Sequence, residues 1–444
     1  MKTKCFLGLR KISKNEMPTS FVPLLIQSLS IFPFVQDYLT WIQNLTFWQF
    51  IGIISFVLVD LLRNVGKPVV LSIHHLFRKI HPLPFQSIEN AQIKISVLVP
   101  AHNEGVAIRK TIESLLENNY PNKEIIVIDD HSTDDTFQQA YPYYKSGKIK
   151  LVKRTEGSKG SKSGASNFGA VFASGDIILV MDGDTLMERN ALSEVAKYMT
   201  VQDIVAIAGN VRILSGDNEV ENLLTKCQSY EYLIAFELGR RIRLMMKILV
   251  IIPGAFGAFR KGIIRKVGFF DKDTITEDFD LGVKIFKTKG RVEFIPGAIS
   301  QTYCPNNWRE WIAQRVRWSH GQFTTLLKHK DAVTGRTNYP PLFILGIIDM
   351  MFMDIVLLMI RMISLLYMIL VFQNTIIYPM IFIMMIYFIN EIIVIITAAL
   401  FSPNKSDLKY IYLSPIMILI YRPLYSCVRF YAYFMSIFKK EIKW

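Results

Sequence analysis

Residues Ile177–Asp184 read IILVMDGD, a short apolar run that ends in two carboxylates around a glycine. A continuous apolar run of this length is typical of a strand that is buried on both faces of a parallel sheet. Three similar runs precede it, at residues 95–100, 124–130 and 150–152, and the segments between them have helical spacing. Because strands alternate with helices, the sequence predicts an α/β domain with a mostly parallel sheet.

Two acidic positions stand where predicted strands end. Asp130 and Asp182 both follow apolar runs, and ligands of open α/β sheets bind at the carboxyl ends of the strands. One cleft is therefore expected to hold both. Asp182 and Asp184 on a tight turn have the oxygen ligands that Mg²⁺ or Mn²⁺ prefers, with substrate phosphates completing the shell. A polar turn without a ligand is the alternative for these two aspartates alone.

Apolar residues make up 51% of the 444 residues and are concentrated before residue 80 and after residue 340. This uneven distribution predicts membrane segments rather than one oversized core. The predicted spans are residues 46–63, 376–401 and 410–438, and residues 342–372 are expected to form an interfacial helix joined to a span. Residues 21–35 are interrupted by prolines, which predicts a marginal span or an interfacial segment.

The chain therefore divides into three predicted regions. Residues 1–92 are expected to form an N-terminal membrane region of about one or two helices and a linker. Residues 93–330 would form the α/β domain, and residues 331–444 interfacial and transmembrane helices. Arg78, Lys79 and His81 follow the first predicted span, and basic residues favour the cytoplasmic side of a membrane. The sequence thus predicts a multi-pass protein of the cell membrane with a cytoplasmic α/β domain.

The net charge of +14 suits anionic lipid headgroups or a phosphorylated substrate. The sequence contains no recognition helix, zinc finger or RNA-binding motif, so we expect no nucleic acid partner. Its four cysteines, Cys5, Cys227, Cys304 and Cys427, are far apart and form no C-x-x-C pair. This spacing predicts neither a disulfide framework nor a cysteine metal site, and it favours a reducing compartment.

Two further positions suit chemistry on a phosphorylated substrate. Lys162 lies in the basic, glycine-rich segment 157–165 before a predicted helix, where it could contact a diphosphate. Asp278 follows an apolar loop, where a carboxylate can act as a general base. For Lys162 the alternative is a flexible surface loop. For Asp278 it is an acidic helix start that is stabilised by the helix dipole.

Residues 308–318 read WREWIAQRVRW and stand where the polar middle of the chain gives way to its apolar end. Trp311, Gln314 and Trp318 have the spacing of one helix face, whereas Arg315 and Arg317 are predicted to point elsewhere. An exposed tryptophan is a good platform for a sugar ring. For Trp308 and Trp311 an anchor near the bilayer is the alternative.

Four motifs occur in a fixed order: Asp130, Asp182-x-Asp184, Thr276-Glu277-Asp278 and Gln314-x-x-Arg317-Trp318. In this combination the chain resembles the membrane-embedded, processive family 2 glycosyltransferases, the synthases of cellulose, chitin, hyaluronan and poly-N-acetylglucosamine. The similarity covers about residues 93–330. The T-E-D string followed by Q-x-x-R-W distinguishes this group. One departure is His131, where the family usually has a glycine.

The resemblance implies a GT-A fold and an inverting transfer from a UDP-sugar. Asp130 would contact the uracil or ribose, in one pocket with Ala101, His102 and Glu104. Lys162 would touch the diphosphate, while Asp182 and Asp184 would bind the donor and, chiefly through Asp184, Mg²⁺ or Mn²⁺. Asp278 would deprotonate the acceptor hydroxyl. The acceptor would be held by Glu277, Gln314, Arg317 and Trp318.

Three functions are compatible with this pattern. The first is extension of a β-linked polysaccharide or glycolipid from a UDP-sugar. The second is addition of one sugar to a lipid carrier by a non-processive enzyme. The third is an inactive nucleotide-binding scaffold or transporter subunit, which the complete set of carboxylates argues against. The transferred sugar, the linkage, the acceptor, accessory subunits and the oligomeric state are not determined by the sequence.

Overall fold

A computed structural model describes residues 33–87, 92–156, 161–214, 221–332, 341–351 and 355–438. Most of the interfacial segment predicted at 21–35 and part of the basic segment 157–165 lie outside these ranges. The described residues form an eight-stranded sheet, with apolar helices before and after it in the chain.

The strands are β1 Ile95–Ala101, β2 Lys123–Asp130, β3 Lys150–Arg154, β4 Ile177–Val180, β5 Thr185–Met187, β6 Ile204–Ile213, β7 Gly257–Arg260 and β8 Arg291–Thr302. Their order across the sheet is β3-β2-β1-β4-β7-β6-β8-β5. Strand β1 pairs in parallel with β2 and β4, β2 with β3, and β6 with β8. Strand β7 is antiparallel to both β4 and β6, and β5 is antiparallel to β8. The predicted α/β class with a mostly parallel sheet is confirmed.

The helices and helical turns are α1 Pro33–Gln43, α2 Phe47–Ile80, α3 Ile108–Leu116, α4 Thr136–Lys145, α5 Lys162–Val171, α6 Ala191–Met199, α7 Leu223–Leu233, a π-helical turn Ile234–Arg240, α8 Arg241–Met245, α9 Lys261–Lys266, α10 Glu277–Lys287, α11 Trp308–Lys328, a 3-10 turn Lys330–Ala332, α12 Pro341–Met351, α13 Leu357–Phe372, a 3-10 turn Gln373–Thr375, α14 Ile377–Phe401, a 3-10 segment Lys405–Leu413, α15 Ser414–Ile416, a π-helical turn Met417–Tyr421 and α16 Arg422–Ile437.

The centre of the sheet is buried on both faces. Every residue of β1 and of β4 is buried, which is why both segments are continuous apolar runs rather than alternating ones. Register pairs such as Val97 with Ile125 and with Leu179 align β2, β1 and β4 side by side. The carboxyl ends of these three strands therefore meet at one edge, which positions the residues that follow them.

Three apolar helical segments of the described chain are long enough to cross a membrane: Leu357–Thr375, Ile377–Phe401 and Lys405–Ile437. A fourth would be the bent pair Phe47–Ile54 and Val57–Ile80, which meet at an angle of 50°. Helix α2 continues to Ile80, well past the span predicted at 46–63, and contains Pro68.

Four charged residues within these helices, Asp60, Arg361, Glu391 and Arg422, form ion pairs. Glu391 of α14 accepts a hydrogen bond from the Tyr230 hydroxyl (2.7 Å) and forms an ion pair with Arg422 (2.7 Å). Arg361 of α13 forms an ion pair with Asp60 of α2, and the Tyr387 hydroxyl donates to the same carboxylate (2.8 Å). Pairing of this kind offsets the cost of placing charges among apolar side chains.

Arg361→Met is expected to destabilise the protein more than Arg361→Met combined with Asp60→Leu. The single change leaves the Asp60 carboxylate without its cation, whereas the double change removes both charges. We expect the single variant to lose about 1 to 3 kcal/mol of unfolding free energy. This loss is below the range for fully buried pairs, because 26% of the Arg361 side chain is exposed. Thermal unfolding in detergent measures the difference. Equal unfolding temperatures for the two variants would contradict this prediction.

Candidate active site

A cavity of about 860 Å³ opens at the carboxyl ends of β1, β2 and β4. It extends from this edge of the sheet past α10 and α11 to Tyr425 of α16. All twelve residues that the sequence singled out for the site lie on its wall: Ala101, His102, Glu104, Asp130, Lys162, Asp182, Asp184, Glu277, Asp278, Gln314, Arg317 and Trp318. The fold thus brings together residues that are spread over more than 200 positions of the chain.

The turn after β4 carries the two aspartates of the D-x-D string. Gly183 between them lies against β1, and a Cβ at this position would stand 3.2 Å from that of Ala101. Burial and the neighbouring Asp182 raise the pKa of Asp184 to about 6. Burial together with Asp184 and Asp182 raises the pKa of Glu104 to about 7. Crowded carboxylates of this kind favour a cation between them.

The carboxylate pair fits a cation that completes its shell with substrate oxygens. Asp184 Oδ1 has long contacts to the hydroxyls of Thr185 (3.4 Å) and Thr302 (3.5 Å). No group of three or more His, Cys, Asp or Glu side chains in the described ranges is arranged to hold a metal without further ligands. Mg²⁺ and similar ions are commonly bound by one or two carboxylates plus phosphates, so this donor set suits them.

Lys162 lies at the first position of α5. The hydroxyl of Ser161 caps this helix by accepting from the Gly164 amide. The ammonium group forms an ion pair with Asp182 and lies 3.9 Å from Glu277. Burial opposes its charge, but Asp182 and Glu277 outweigh burial and raise the pKa of Lys162. Lys162 is therefore a permanently charged group between the D-x-D turn and the T-E-D string.

Asp130 ends β2 and is 2% exposed. Its Oδ1 accepts from the Arg154 guanidinium and contacts His131 Nδ1 (2.8 Å), whereas the buried Oδ2 has no hydrogen-bond partner in the described chain. The His102 ring contacts the Asp130 carbonyl oxygen (2.6 Å). Two cationic or polar neighbours thus hold one carboxylate oxygen and leave the other for a ligand.

His131 has a φ of +58°, a left-handed conformation that is favourable for glycine. This geometry explains why a glycine is usual at this position in the family that the motifs resemble. The departure is tolerated because the imidazole reaches back to the Asp130 carboxylate.

The T-E-D string lies at the start of α10. Asp278 Oδ2 accepts from the Gly254 amide (3.1 Å) and Oδ1 from the Phe279 amide (2.8 Å), which fixes this carboxylate on the cavity wall. Burial raises the pKa of Glu277 to about 7 against the opposing attraction of Lys162. Thr276 packs against α11, where a Cβ on Gly321 would approach its Cγ2 to 2.4 Å. Glycine at 321 therefore allows the T-E-D and Q-x-x-R-W segments to touch.

Helix α11 carries the Q-x-x-R-W string, and Asn307 caps it by accepting from the Glu310 amide (3.0 Å). Gln314, Arg317 and Trp318 face the cavity together, so the prediction that Arg317 points away from Gln314 and Trp318 is wrong. Trp311 is fully buried rather than exposed at a bilayer, and its indole donates to the Tyr421 hydroxyl (2.8 Å). Gln314, Arg317 and Trp318 are related as i, i+3 and i+4, a spacing that places all three on one face of α11.

Several wall residues were not predicted from the sequence. They come from α7, the π-helical turn after it, the loop before α10 and α16: Glu231, Tyr232, Arg240, Lys272 and Tyr425. None lies in a recognisable motif, and their approach to the cavity depends on contacts between distant elements. The sequence signal for these residues was weak: Glu231 is a carboxylate near aromatic residues in α7, and this pattern is common in helices.

Comparisons with known proteins agree with this arrangement. Residues 96–268 match the family model described as Glycosyl transferase family 2. This segment is a family 2 glycosyltransferase domain. This match covers β1 to β7 and includes the D-x-D turn.

Curated relatives of the glycosyltransferase domain include enzymes of polysaccharide synthesis. The probable glycosyltransferase YdaM of Bacillus subtilis is 33% identical over 244 residues, which cover 53% of this chain and 56% of YdaM. The poly-β-1,6-N-acetyl-D-glucosamine synthase of Staphylococcus epidermidis is 30% identical over 265 residues, 59% of this chain and 63% of the synthase. The chain thus spans less than two thirds of the length of these relatives.

A solved structure supports the fold assignment. The mannosyltransferase PcManGT of Pyrobaculum calidifontis, solved with GDP-Man and Mn²⁺, superposes with a TM-score of 0.57 at 16% identity. The alignment covers 88% of this chain and the whole of that structure. The GT-A fold of the glycosyltransferase domain is therefore confirmed.

Proposed function

We propose that this protein is an inverting membrane glycosyltransferase that transfers a sugar from a UDP-sugar to the non-reducing end of a β-linked polysaccharide or glycolipid. The observation that carries the proposal is the convergence of the D-x-D, T-E-D and Q-x-x-R-W side chains on one cavity. The identity with poly-β-1,6-N-acetyl-D-glucosamine synthases makes N-acetylglucosamine the first sugar to test.

The donor would bind at the sheet edge. The Asp130 Oδ2, which has no partner in the described chain, would accept from the base or ribose, beside Ala101, His102 and Glu104. Lys162 would exchange its contact with Asp182 for the diphosphate. Asp184, with Asp182, would hold Mg²⁺ or Mn²⁺, which supplies positive charge that stabilises the leaving nucleotide.

Divalent cation affinity is expected to fall as the pH drops through about 6. Protons compete with the cation for Asp184, whose pKa is raised to about 6. Between pH 8 and pH 5.5 this group alone lowers the apparent affinity about fourfold, and protonation of Glu104 adds to the loss. Titration of Mn²⁺ in the presence of UDP measures the effect. An affinity that is constant over this range would contradict it.

The acceptor would bind on the α11 side of the cavity. Asp278 would take the proton of the acceptor hydroxyl as the hydroxyl oxygen bonds to the anomeric carbon of the donor sugar. The bond from that carbon to the diphosphate would break on the opposite face and release UDP, which inverts the configuration. The Gly254 and Phe279 amides hold this carboxylate in place. Glu277, Gln314, Arg317 and Trp318 would contact the acceptor or the diphosphate, with Trp318 as a platform for a sugar ring.

The apolar helices would place this domain at the inner face of the cell membrane. In this proposal the protein crosses the membrane several times, and its three regions are 1–92, 93–330 and 331–444. The middle region would lie in the cytoplasm, where nucleotide sugars are made. Lipids would surround the helices, and accessory subunits are compatible with this plan. The three or four candidate spans of the described chain support the proposal.

Nucleotide release from the purified, detergent-solubilised protein tests the proposed donor. The panel contains UDP-N-acetylglucosamine, UDP-glucose, UDP-galactose and, because the structural relative binds GDP-Man, GDP-mannose. Each donor is assayed with Mg²⁺ or Mn²⁺ and with a β-1,6-linked N-acetylglucosamine oligosaccharide or a polyprenyl phosphate sugar as acceptor. Metal-dependent UDP release from one donor is the expected result. Release from GDP-mannose alone would overturn the UDP assignment.

Product length separates polymer synthesis from addition of a single sugar. A ladder of products in mass spectrometry supports extension of a polysaccharide. One added sugar on the lipid acceptor supports the non-processive alternative. Absence of turnover with every donor and acceptor would favour a nucleotide-binding scaffold.

A further inference from the structure

The buried guanidinium of Arg315 contacts three side chains at the acceptor end of the cavity: Glu231, Gln314 and Trp318. Arg315 of α11 is fully buried, although its neighbours Gln314 and Arg317 line the cavity. Its Nη2 donates to Glu231 Oε2 (2.6 Å) and its Nη1 donates to Gln314 Oε1 (2.7 Å). The guanidinium also lies over the Trp318 ring, 4.2 Å from its centroid.

One carboxylate oxygen of Glu231 accepts two hydrogen bonds, and the other is available to a ligand. Both of its contacts, from Arg315 and from the Tyr421 hydroxyl, are made to Oε2. Tyr421 is itself fixed by the Trp311 indole (2.8 Å), so the support extends into the apolar C-terminal helices. Glu231 lines the cavity with 20% of its side chain exposed, and Oε1 has no hydrogen-bond partner in the described chain.

Gln314 likewise has one polar group that is held by Arg315 and one that is available to a ligand. Because its Oε1 accepts from Arg315, its amide nitrogen is the polar group left to face a ligand, and no acceptor for it appears among the described residues. Glu231 thus presents a hydrogen-bond acceptor, Gln314 a donor and Trp318 an aromatic face. This combination suits a pyranose, which has hydroxyl donors and acceptors at its rim and C–H groups on its faces.

We propose that Glu231 binds a hydroxyl group of the acceptor sugar and that Arg315 is the positioning residue that holds Glu231, Gln314 and Trp318 in place for it. The proposal rests on the proposed function and names two residues that its four motifs do not specify: Glu231, and Arg315 at a variable position of Q-x-x-R-W. Buried Arg315 neutralises Glu231 and fixes its direction, so the carboxylate is preorganised before the acceptor arrives.

The test compares Glu231→Gln and Arg315→Lys with the wild-type protein, using the acceptor on which the wild type acts. Both variants are expected to raise the KM for the acceptor about tenfold or more, the effect of losing one hydrogen bond to a charged group. The KM for the donor and the rate of donor hydrolysis without acceptor should stay within about twofold. Arg309→Lys and Glu310→Gln, on the exposed start of α11, are matched controls with wild-type kinetics.

Deoxy analogues of the acceptor distinguish direct contact from a structural effect. In the wild type, one analogue that lacks the recognised hydroxyl should lose about tenfold in kcat/KM, whereas Glu231→Gln should not discriminate against it. Tyr421→Phe, which removes one hydrogen bond to Glu231, provides a milder variant if Arg315→Lys does not fold.

The outcomes separate this proposal from the proposed function. A wild-type protein without turnover on any donor would overturn both. An active wild type, with variants that lose donor hydrolysis and transfer equally, would overturn the acceptor role of Glu231 and Arg315 alone. The same conclusion follows if every deoxy analogue loses equally in Glu231→Gln and in the wild type.

Discussion

Asp278→Asn is expected to lower sugar transfer about a thousandfold, within the range seen when a general base is removed. The asparagine keeps the size of the side chain, and its single oxygen can still accept from one of the two amides that bond Asp278, those of Gly254 and Phe279, but it cannot take a proton. UDP binding should change little because the proposal assigns Asp278 to the acceptor hydroxyl rather than to the nucleotide. Transfer rates, together with UDP affinity measured by calorimetry, test both parts.

The matched control for this variant is Asp273→Asn, in the loop that precedes α10. The Asp273 side chain is 67% exposed and its ion pair with Lys328 is at the surface. We expect wild-type transfer from this control. Full transfer by Asp278→Asn would show that another group accepts the proton, and equal loss in the control would show a general effect of charge.

Asp184→Asn is expected to have two opposite effects, loss of metal-dependent donor turnover and greater stability of the metal-free protein. The amide is a poor ligand for a hard cation, and we expect turnover to fall about a hundredfold or more. A carboxyl whose folded-state pKa is raised contributes stability at low pH that is lost as the pH rises through that value. Ionised Asp184, with a pKa of about 6 in the fold, therefore destabilises the metal-free protein at pH 8.

Asp184→Asn should raise the free energy of unfolding by about 1 to 3 kcal/mol at pH 8, which corresponds to a rise of several degrees in unfolding temperature. Thermal unfolding at pH 8 and pH 5, with and without Mn²⁺, measures it. The gain should shrink at pH 5, and Mn²⁺ should stabilise the wild type but not the variant. Asp203→Asn, an exposed aspartate before β6, is the control. Stabilisation of Asp184→Asn by Mn²⁺ equal to that of the wild type would contradict the metal role.

The first half of the sheet was predictable because its strands are buried on both faces. Strands were predicted at 95–100, 124–130 and 177–182, and the observed bounds of β1, β2 and β4 differ from these by two residues at most. The second half gave a weaker signal. Strand β7 is only Gly257–Arg260 and lies antiparallel between β4 and β6, so its position depends on pairing rather than on its own composition.

Some residues of the candidate site could likewise be predicted from the sequence and others could not. Residues of the four motifs were identified from their order in the chain, and all of them line the cavity. Glu231 and Arg315 carry no such signal, because they are 84 positions apart and each resembles an ordinary helical surface residue until the fold pairs them. Trp311 was placed on the cavity face by helical spacing, but burial against Tyr421 decided its position.

The most direct test of the account is incorporation of radiolabelled sugar from UDP-N-acetylglucosamine into an acceptor by the purified full-length protein with Mn²⁺, beside Asp278→Asn. We predict a β-linked labelled product from the wild type and almost none from the variant. Equal labelling by both proteins, or an α-linked product, would contradict an inverting transfer with Asp278 as the base.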